Sequence, residues 1–160
     1  MSEVDDLDLF LLKRTGNMVE TPKGSVELIS RQEKILIKGK PAHELIVWES
    51  PYGPLVNEVL SVDKTLAMRW AFHSESNELI EAFYGMARAT SMTEFAQSLP
   101  KIGAPGLNIV YADKAGGIAW WLTGQTPKRP VGVTGKSLRD PWLDDLGVIA
   151  FEDLPKIINP

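Results

Sequence analysis

The tightest restriction on this fold lies in Gly106–Pro127, GLNIVYADKAGGIAWWLTGQTP. Two apolar runs, Asn108–Asp113 and Gly117–Leu122, flank the segment DKAGG. Aspartate tolerates a turn position, and the paired glycines can adopt the positive φ that a tight reversal needs. The pattern predicts an antiparallel hairpin. Successive strand residues face opposite sides, so Trp120 and Trp121 must point apart. One enters a core. The other covers a second surface, either as packing or as the wall of an apolar ligand pocket.

Around this hairpin the chain reads as one α+β piece: strand-rich over 4–72, helical over 76–98, a hairpin over 107–123 and irregular over 124–160. LDLFLLKR, Leu7–Arg14, is the first strand expected. A second hairpin is expected with Glu33–Lys38 against Glu44–Glu49, Ile35 and Ile37 alternating with polar neighbours. TLAMRWAF, Thr65–Phe72, reads as a further strand. The period then changes. Leu79, Phe83 and Met86, joined by Ile80 and Tyr84, fall on one helical stripe. Ser91 followed by Glu94 is a capping box. Two short helices are expected, at 76–88 and 92–98. The terminal FEDLPKIINP offers no closing element.

Composition removes several function classes. Hydrophobic residues make up 44% of the 160, enough for a sizeable core. A net charge of -4, with Lys and Arg scattered, leaves no footprint for nucleic acid. There is no cysteine, hence no disulfide, thiolate metal site or cysteine nucleophile. No apolar run approaches the roughly 20 residues that span a bilayer. The acidic MSEVDDLDLF lacks the character of an export signal. His43 and His73 have no second ligand at metal spacing and read as structural or surface residues. No nucleophile elbow, phosphate loop or dinucleotide fingerprint occurs. The most acidic segment, EVDDLDLF, is either an exposed start of a strand or a hard-cation site. In the second case Asp5, Asp8 and a backbone carbonyl between them would supply oxygens. Asp140, Asp144 and Asp145 form another acidic group, with no spacing that selects it.

Asn108, Tyr111-Ala112-Asp113, Gly116-Gly117, Trp120-Trp121 and Gly124 through Pro127 to Arg129 together resemble the penicillin acylase (penicillin amidase) family. The resemblance continues in order along the chain. DDLDLF matches an Asp-rich strand, SRQEKILIKG an Arg-x-Glu-x-Ile-x-Val-Lys segment, and IAFEDLPKIINP a Pro-Phe-x-x-Leu-Pro-x-x-x-Asn-Pro segment. Two pieces depart from the pattern. Tyr52 stands where most members have histidine, and Ser91-Met92 replace Asn-Trp.

The resemblance implies an N-terminal nucleophile hydrolase with an αββα core, whose serine uses its own α-amino group as base. It also places this chain between the two halves of that active site. The nucleophile would lie upstream, and the oxyanion asparagine and a catalytic arginine downstream. The expectation is therefore an internal fragment of the large chain, either a cloned domain or a truncated reading frame, with no catalytic residue of its own. It would be inactive alone, and its first partner would be the remainder of its precursor. The implied substrate is a small acyl amide, with penicillins, acyl-homoserine lactones and other amides all open. Asp5, the Leu7 carbonyl and Asp8 match calcium-binding positions, and Phe83 and Leu107 match walls of the acyl pocket. No organic cofactor, nucleic acid or membrane is implied. Periplasmic or secreted localisation follows from the family. Exposed strand edges would favour self-association. A standalone module that binds a ligand or partner without catalysis is the competing reading.

Overall fold

The computed structural model describes residues 6–73, 77–143 and 147–159. The α+β class holds, with antiparallel sheets and few helices. The chain falls into two compact units. A strand-rich unit comprises Asp8–Arg69 and Arg129–Asp145, and a helix–hairpin unit comprises Met1–Leu7, Trp70–Lys128 and Leu146–Pro160.

In the strand-rich unit, β1 (Leu7–Leu12) is followed by a three-stranded meander, β2 (Arg14–Thr15), β3 (Met18–Thr21) and β4 (Gly24–Glu27). A second three-stranded sheet holds β5 (Ile29–Ile35), β6 (His43–Ser50) and β7 (Gly53–Pro54). One helical turn, α1 (Asn57–Leu60), precedes β8 (Thr65–Trp70), which pairs with β1. The period-2 rule works cleanly in β1: Asp8, Phe10 and Leu12 are all buried and their odd-numbered neighbours are not. Phe10 meets Tyr52 with ring centroids 5.0 Å apart. Val19, Leu28, Leu66 and Ala67 complete the buried apolar set.

The second hairpin is displaced from its expected position. Its ladder runs from Ile29↔Glu49 to Ile35↔His43. Leu36 and Ile37 leave the ladder because a turn begins there: the Lys40 N–H donates to the Ile37 carbonyl at 3.1 Å. The strand expected over Thr65–Phe72 likewise stops at Trp70, and Ala71–His73 coil into a 3₁₀ turn.

The helix–hairpin unit contains α2 (Leu79–Arg88), α3 (Met92–Ser98), β9 (Leu107–Ala112), β10 (Ile118–Thr123) and β11 (Lys156–Ile158). Residue 76, the expected start of the helical region, lies outside the described residues. The inner face of the hairpin follows from its register. Leu107, Ile109 and Tyr111 stand opposite Thr123, Trp121 and Ala119. Trp121 and Ala119 join Ala82, Met86, Leu99 and Ile102 in one buried cluster. Phe95 stacks on this face, 5.1 Å from Tyr111 and 6.2 Å from Trp121 by ring centroid.

Two expectations are corrected here. The buried stripe of α2 is Ala82 and Met86 with Leu79 beside them, while Phe83, Ile80 and Tyr84 face outward at 48%, 81% and 65% exposure. The cause is close helix packing. A Cβ on Gly85 would collide with the Ser98 hydroxyl on α3, so the small residues Ala82 and Gly85 take the contact and the bulky ones rotate away. The C-terminal stretch does close the sheet. β11 adds to β10 through Trp121↔Lys156, Trp120↔Ile157 and Ala119↔Ile158. Asn159, at φ 46°, then clasps Ile118, whose N–H donates to Asn159 Oδ1 at 3.0 Å and whose carbonyl accepts from the Asn159 N–H at 2.9 Å.

Candidate functional site

The family-like hairpin is built by its own turn. Asp113 Oδ1 accepts from the N–H groups of Ala115 (2.8 Å) and Gly117 (2.9 Å), and its Oδ2 accepts from the Tyr111 hydroxyl at 2.9 Å. Gly116 supplies the left-handed residue at φ 90°. The Gly117 N–H and the Tyr111 hydroxyl hold the Asp113 carboxyl below its ordinary range, since both favour the ionised form. The Tyr-Ala-Asp and Gly-Gly pieces of the motif are therefore parts of a turn. Trp120, on the outer face, donates its indole N–H to Asn108 Oδ1 at 3.0 Å. Trp121 is buried, so the two tryptophans do face apart. The Thr123 hydroxyl donates to the Leu107 carbonyl at 3.1 Å, and the Leu107 side chain packs on the buried cluster. Phe83 lies outside that cluster and is half exposed.

A second constellation surrounds Asp8. β1 points its side chain inward, leaving it 1% exposed, and two arginines meet it there. Arg129 Nε donates to Oδ1 at 2.9 Å and Arg139 Nη1 donates to Oδ2 at 2.6 Å. Arg139 is itself pinned. It forms a one-residue parallel bridge to Phe10, its N–H donating to the Leu9 carbonyl (2.7 Å) and its carbonyl accepting from the Leu11 N–H (3.0 Å). Its guanidinium carbon lies 5.4 Å from the centre of the Phe10 ring. Neither arginine stands out in the sequence as a partner of Asp8. The signal lay in β1 itself: Asp8 is in phase with Phe10 and Leu12, and a carboxylate on a core face requires paired charge.

Of the calcium positions that the resemblance implies, Leu7 and Asp8 lie among the described residues. Asp5, Asp144 and Asp145 lie outside the described residues. Among the described residues no group of three or more His, Cys, Asp or Glu side chains is placed to hold a metal. Among the described residues Asp8 is the buried carboxylate, and it pairs with Arg129 and Arg139.

The remaining titratable groups are structural in their contacts. His43 opens β6 on an exposed position, and His73 sets its ring edge-on to Trp70, centroids 5.7 Å apart. Burial, and then the Asp140 carboxylate, push the Tyr52 phenol above its ordinary value. Ser50 and Ser137 donate to backbone carbonyls, and Ser91 accepts from the Glu94 N–H at 3.2 Å as a helix cap. A hollow of about 380 Å³ beside β1 is lined by Leu11, Lys13, Leu138, Arg139, Asp140 and Trp142.

Comparison with known proteins gives a consistent picture. The sequence matches the family described as Penicillin amidase over residues 1–160. An acyl-homoserine lactone acylase QuiP of Pseudomonas fluorescens is 31% identical over 137 residues, covering 81% of this chain and 17% of that protein. A QuiP of Pseudomonas syringae pv. tomato is 33% identical over 80% of this chain and 16% of its own length. Penicillin G acylase of Escherichia coli is 29% identical over 98% of this chain and 19% of its own length. The thermostable penicillin G acylase from Alcaligenes faecalis superposes with a TM-score of 0.83 at 22% identity, covering 99% of this chain and 29% of that one. At that identity the structural likeness speaks for the fold. The chain thus spans less than a fifth of the length of these curated relatives.

Proposed function

The chain belongs to the penicillin amidase family, and from that premise we propose that it is a scaffold segment of an amide hydrolase that cleaves N-acyl amides. One observation carries this reading: the family match fills residues 1–160, yet the chain spans only 17–19% of the QuiP of P. fluorescens and the E. coli acylase. The bond-breaking groups then belong to the rest of the parent protein. There, an N-terminal serine would attack the amide carbonyl while its α-amine, with a pKa near neutrality, takes the proton. An acyl-enzyme forms and water releases the acid.

In this reading, residues 1–160 contribute shape. The turn locked by Asp113 and the anchor Trp121 hold the inner face of the hairpin, including Leu107, in a fixed place. Leu107 and Phe83 are the proposed contacts of the apolar acyl group, favoured by about 25 cal/mol per Å² buried. The relatives' names, penicillin G acylase and acyl-homoserine lactone acylase, mark the range of acyl amides to try. Exposed apolar residues support a missing neighbour. Leu36, Val59, Ile80 and Val110 are 81%, 77%, 81% and 74% exposed, and each would gain from burial against another part of the parent protein. The parent is proposed to work in the periplasm or outside the cell.

The test is hydrolysis of a chromogenic phenylacetyl amide and of an acyl-homoserine lactone by the purified 160-residue chain. The expected rate equals that of buffer. Turnover by this chain alone would overturn the scaffold reading.

A further inference from the structure

Leu107 enters β9 from a buried loop, residues 103–106, and that loop is held by a side chain from an earlier segment. We infer that this side chain, Asn77, is the positioning residue of the acyl site: it ties the start of α2, which carries Phe83, to the entry of β9, which begins with Leu107. This role presupposes the amidase reading and names what fixes its two proposed acyl contacts. Gly103, Ala104 and Gly106 are buried, so their backbone polar groups need partners within the protein. Asn77 partners three of them. Its Nδ2 donates to the Ala104 carbonyl at 2.8 Å, and its Oδ1 accepts from the Gly103 and Ala104 N–H groups, each at 3.1 Å. A carboxamide carries donor and acceptor side by side, so one side chain serves both kinds of backbone group. The next residue repeats the tie, the Glu78 N–H donating to the Lys101 carbonyl at 3.0 Å.

The end of β10 grips the same loop from another side. The Gly103 carbonyl accepts from the Gln125 N–H at 2.7 Å, and the Leu107 carbonyl accepts from the Thr123 hydroxyl at 3.1 Å. A Cβ on Gly124 would lie 2.5 Å from the Gly106 Cα, so the two backbones meet with no room for a side chain between them. Thr123 and Gln125 belong to the hairpin and its exit, and they fix the loop to β10. Asn77 stands outside the hairpin, and its clamp fixes the loop to the start of α2. Leu107 itself is half-buried against the apolar cluster. A loop released from Asn77 would let β9 shift relative to α2, and the two proposed walls would move apart or together.

Two measurements test this role. In the 160-residue chain, amide hydrogen exchange and the Leu107 methyl signals are followed by NMR in wild type, Asn77→Ala and Asn77→Asp. Asn77→Asp keeps the acceptor for both N–H groups and loses the donor. Expected in Asn77→Ala are shifted Leu107 methyl signals and faster exchange at Ala104 and Gln125, with the Ala115 and Gly117 amide signals of the Asp113 turn in place. Asn77→Asp is expected to lie between. Leu107 signals unmoved in both variants overturn the positioning role. Should Asn77→Ala fail to fold, Asn77→Asp decides on the same signals. In the parent enzyme, kcat/KM is compared for two acyl groups on one amine, phenylacetyl and a straight-chain acyl, and for two amines on one acyl group. Expected in Asn77→Ala is a change of about tenfold in the acyl ratio, the low end of what one methylene discriminates in an apolar pocket. The amine ratio is expected to stay constant, and Asn77→Asp to recover part of the acyl ratio. An equal fall for every substrate marks a purely structural residue and overturns the role. A wild-type parent that hydrolyses none of these amides overturns the amidase reading and the role with it, and its inactive wild type tells that result apart from an unchanged ratio in an active parent.

Discussion

Asp8 and Asp113 are both aspartates at a β-strand, and the fold holds them in opposite ways. Asp113 is exposed, and its three hydrogen bonds come from residues two to four positions away. Asp8 is buried, and its partners lie 121 and 131 residues along the chain. The first arrangement forms whenever the local turn forms. The second exists only after the strand-rich unit has assembled from its two separate stretches. A local acid shapes a turn, and a remote one reports that the unit is complete.

The largest difference should appear on removing each charge. Asp8→Asn leaves the buried Arg139 and the part-buried Arg129 guanidiniums facing a neutral amide, and breaking a buried ion pair from one side costs about 3–5 kcal/mol. Urea unfolding of wild type and variant measures it. A loss in Asp8→Asn below ~1 kcal/mol, the value of an exposed pair, would show that water reaches the cluster. Asp113→Ala is expected to lower the melting temperature by less than Asp8→Asn, and Asp113→Asn by less again, since asparagine keeps one acceptor for the turn N–H groups.

Ser91 provides a smaller, purely local effect. Its hydroxyl caps α3, and Glu94 reaches back to the Thr90 N–H and hydroxyl, both at 2.8 Å. The capping box is thus present, with its return bond one residue before the cap. Ser91→Ala should cost about 1 kcal/mol. Circular dichroism during urea unfolding measures it, and a cost equal to that of Asp8→Asn would contradict the division between local and remote contacts.

That division also explains how far the sequence could be read. The hairpin, its turn, the opposed tryptophans and the cap of α3 all rest on contacts within a few residues, and each stood where the pattern put it. The displaced second hairpin shows the limit. Apolar alternation through Ile37 suggested a longer strand, and a turn carrying Gly39 at φ 75° cut it short. The α2 stripe failed for a tertiary reason: Phe83 satisfies the helical period, but Gly85 against Ser98 decides which side faces α3. β11 was missed because three residues carry too little pattern until β10 is there to pair with them. The arginines of Asp8 were hidden by distance along the chain, although the phase of β1 called for some buried cation.

Acid titration should show the smallest effect of all, at Asp113 and Glu94. The Asp113 carboxyl is held below its ordinary 3.8 by the Gly117 N–H and the Tyr111 hydroxyl, and Glu94 below its ordinary 4.5 by the Thr90 N–H and hydroxyl. A carboxyl depressed on folding stabilises the fold fully above its unfolded value and loses that contribution as pH falls through its folded value. The melting temperature should therefore begin to drop as pH falls through about 4.5 and continue to drop below 3.8, by a modest amount because both groups are exposed. In Asp113→Asn the part of the slope below 3.8 should flatten. Glu94→Gln should flatten the part near 4.5. An acid slope identical in wild type and Asp113→Asn would mean that the turn does not depend on the charge of Asp113, and its place in the motif would then rest on hydrogen-bond geometry alone.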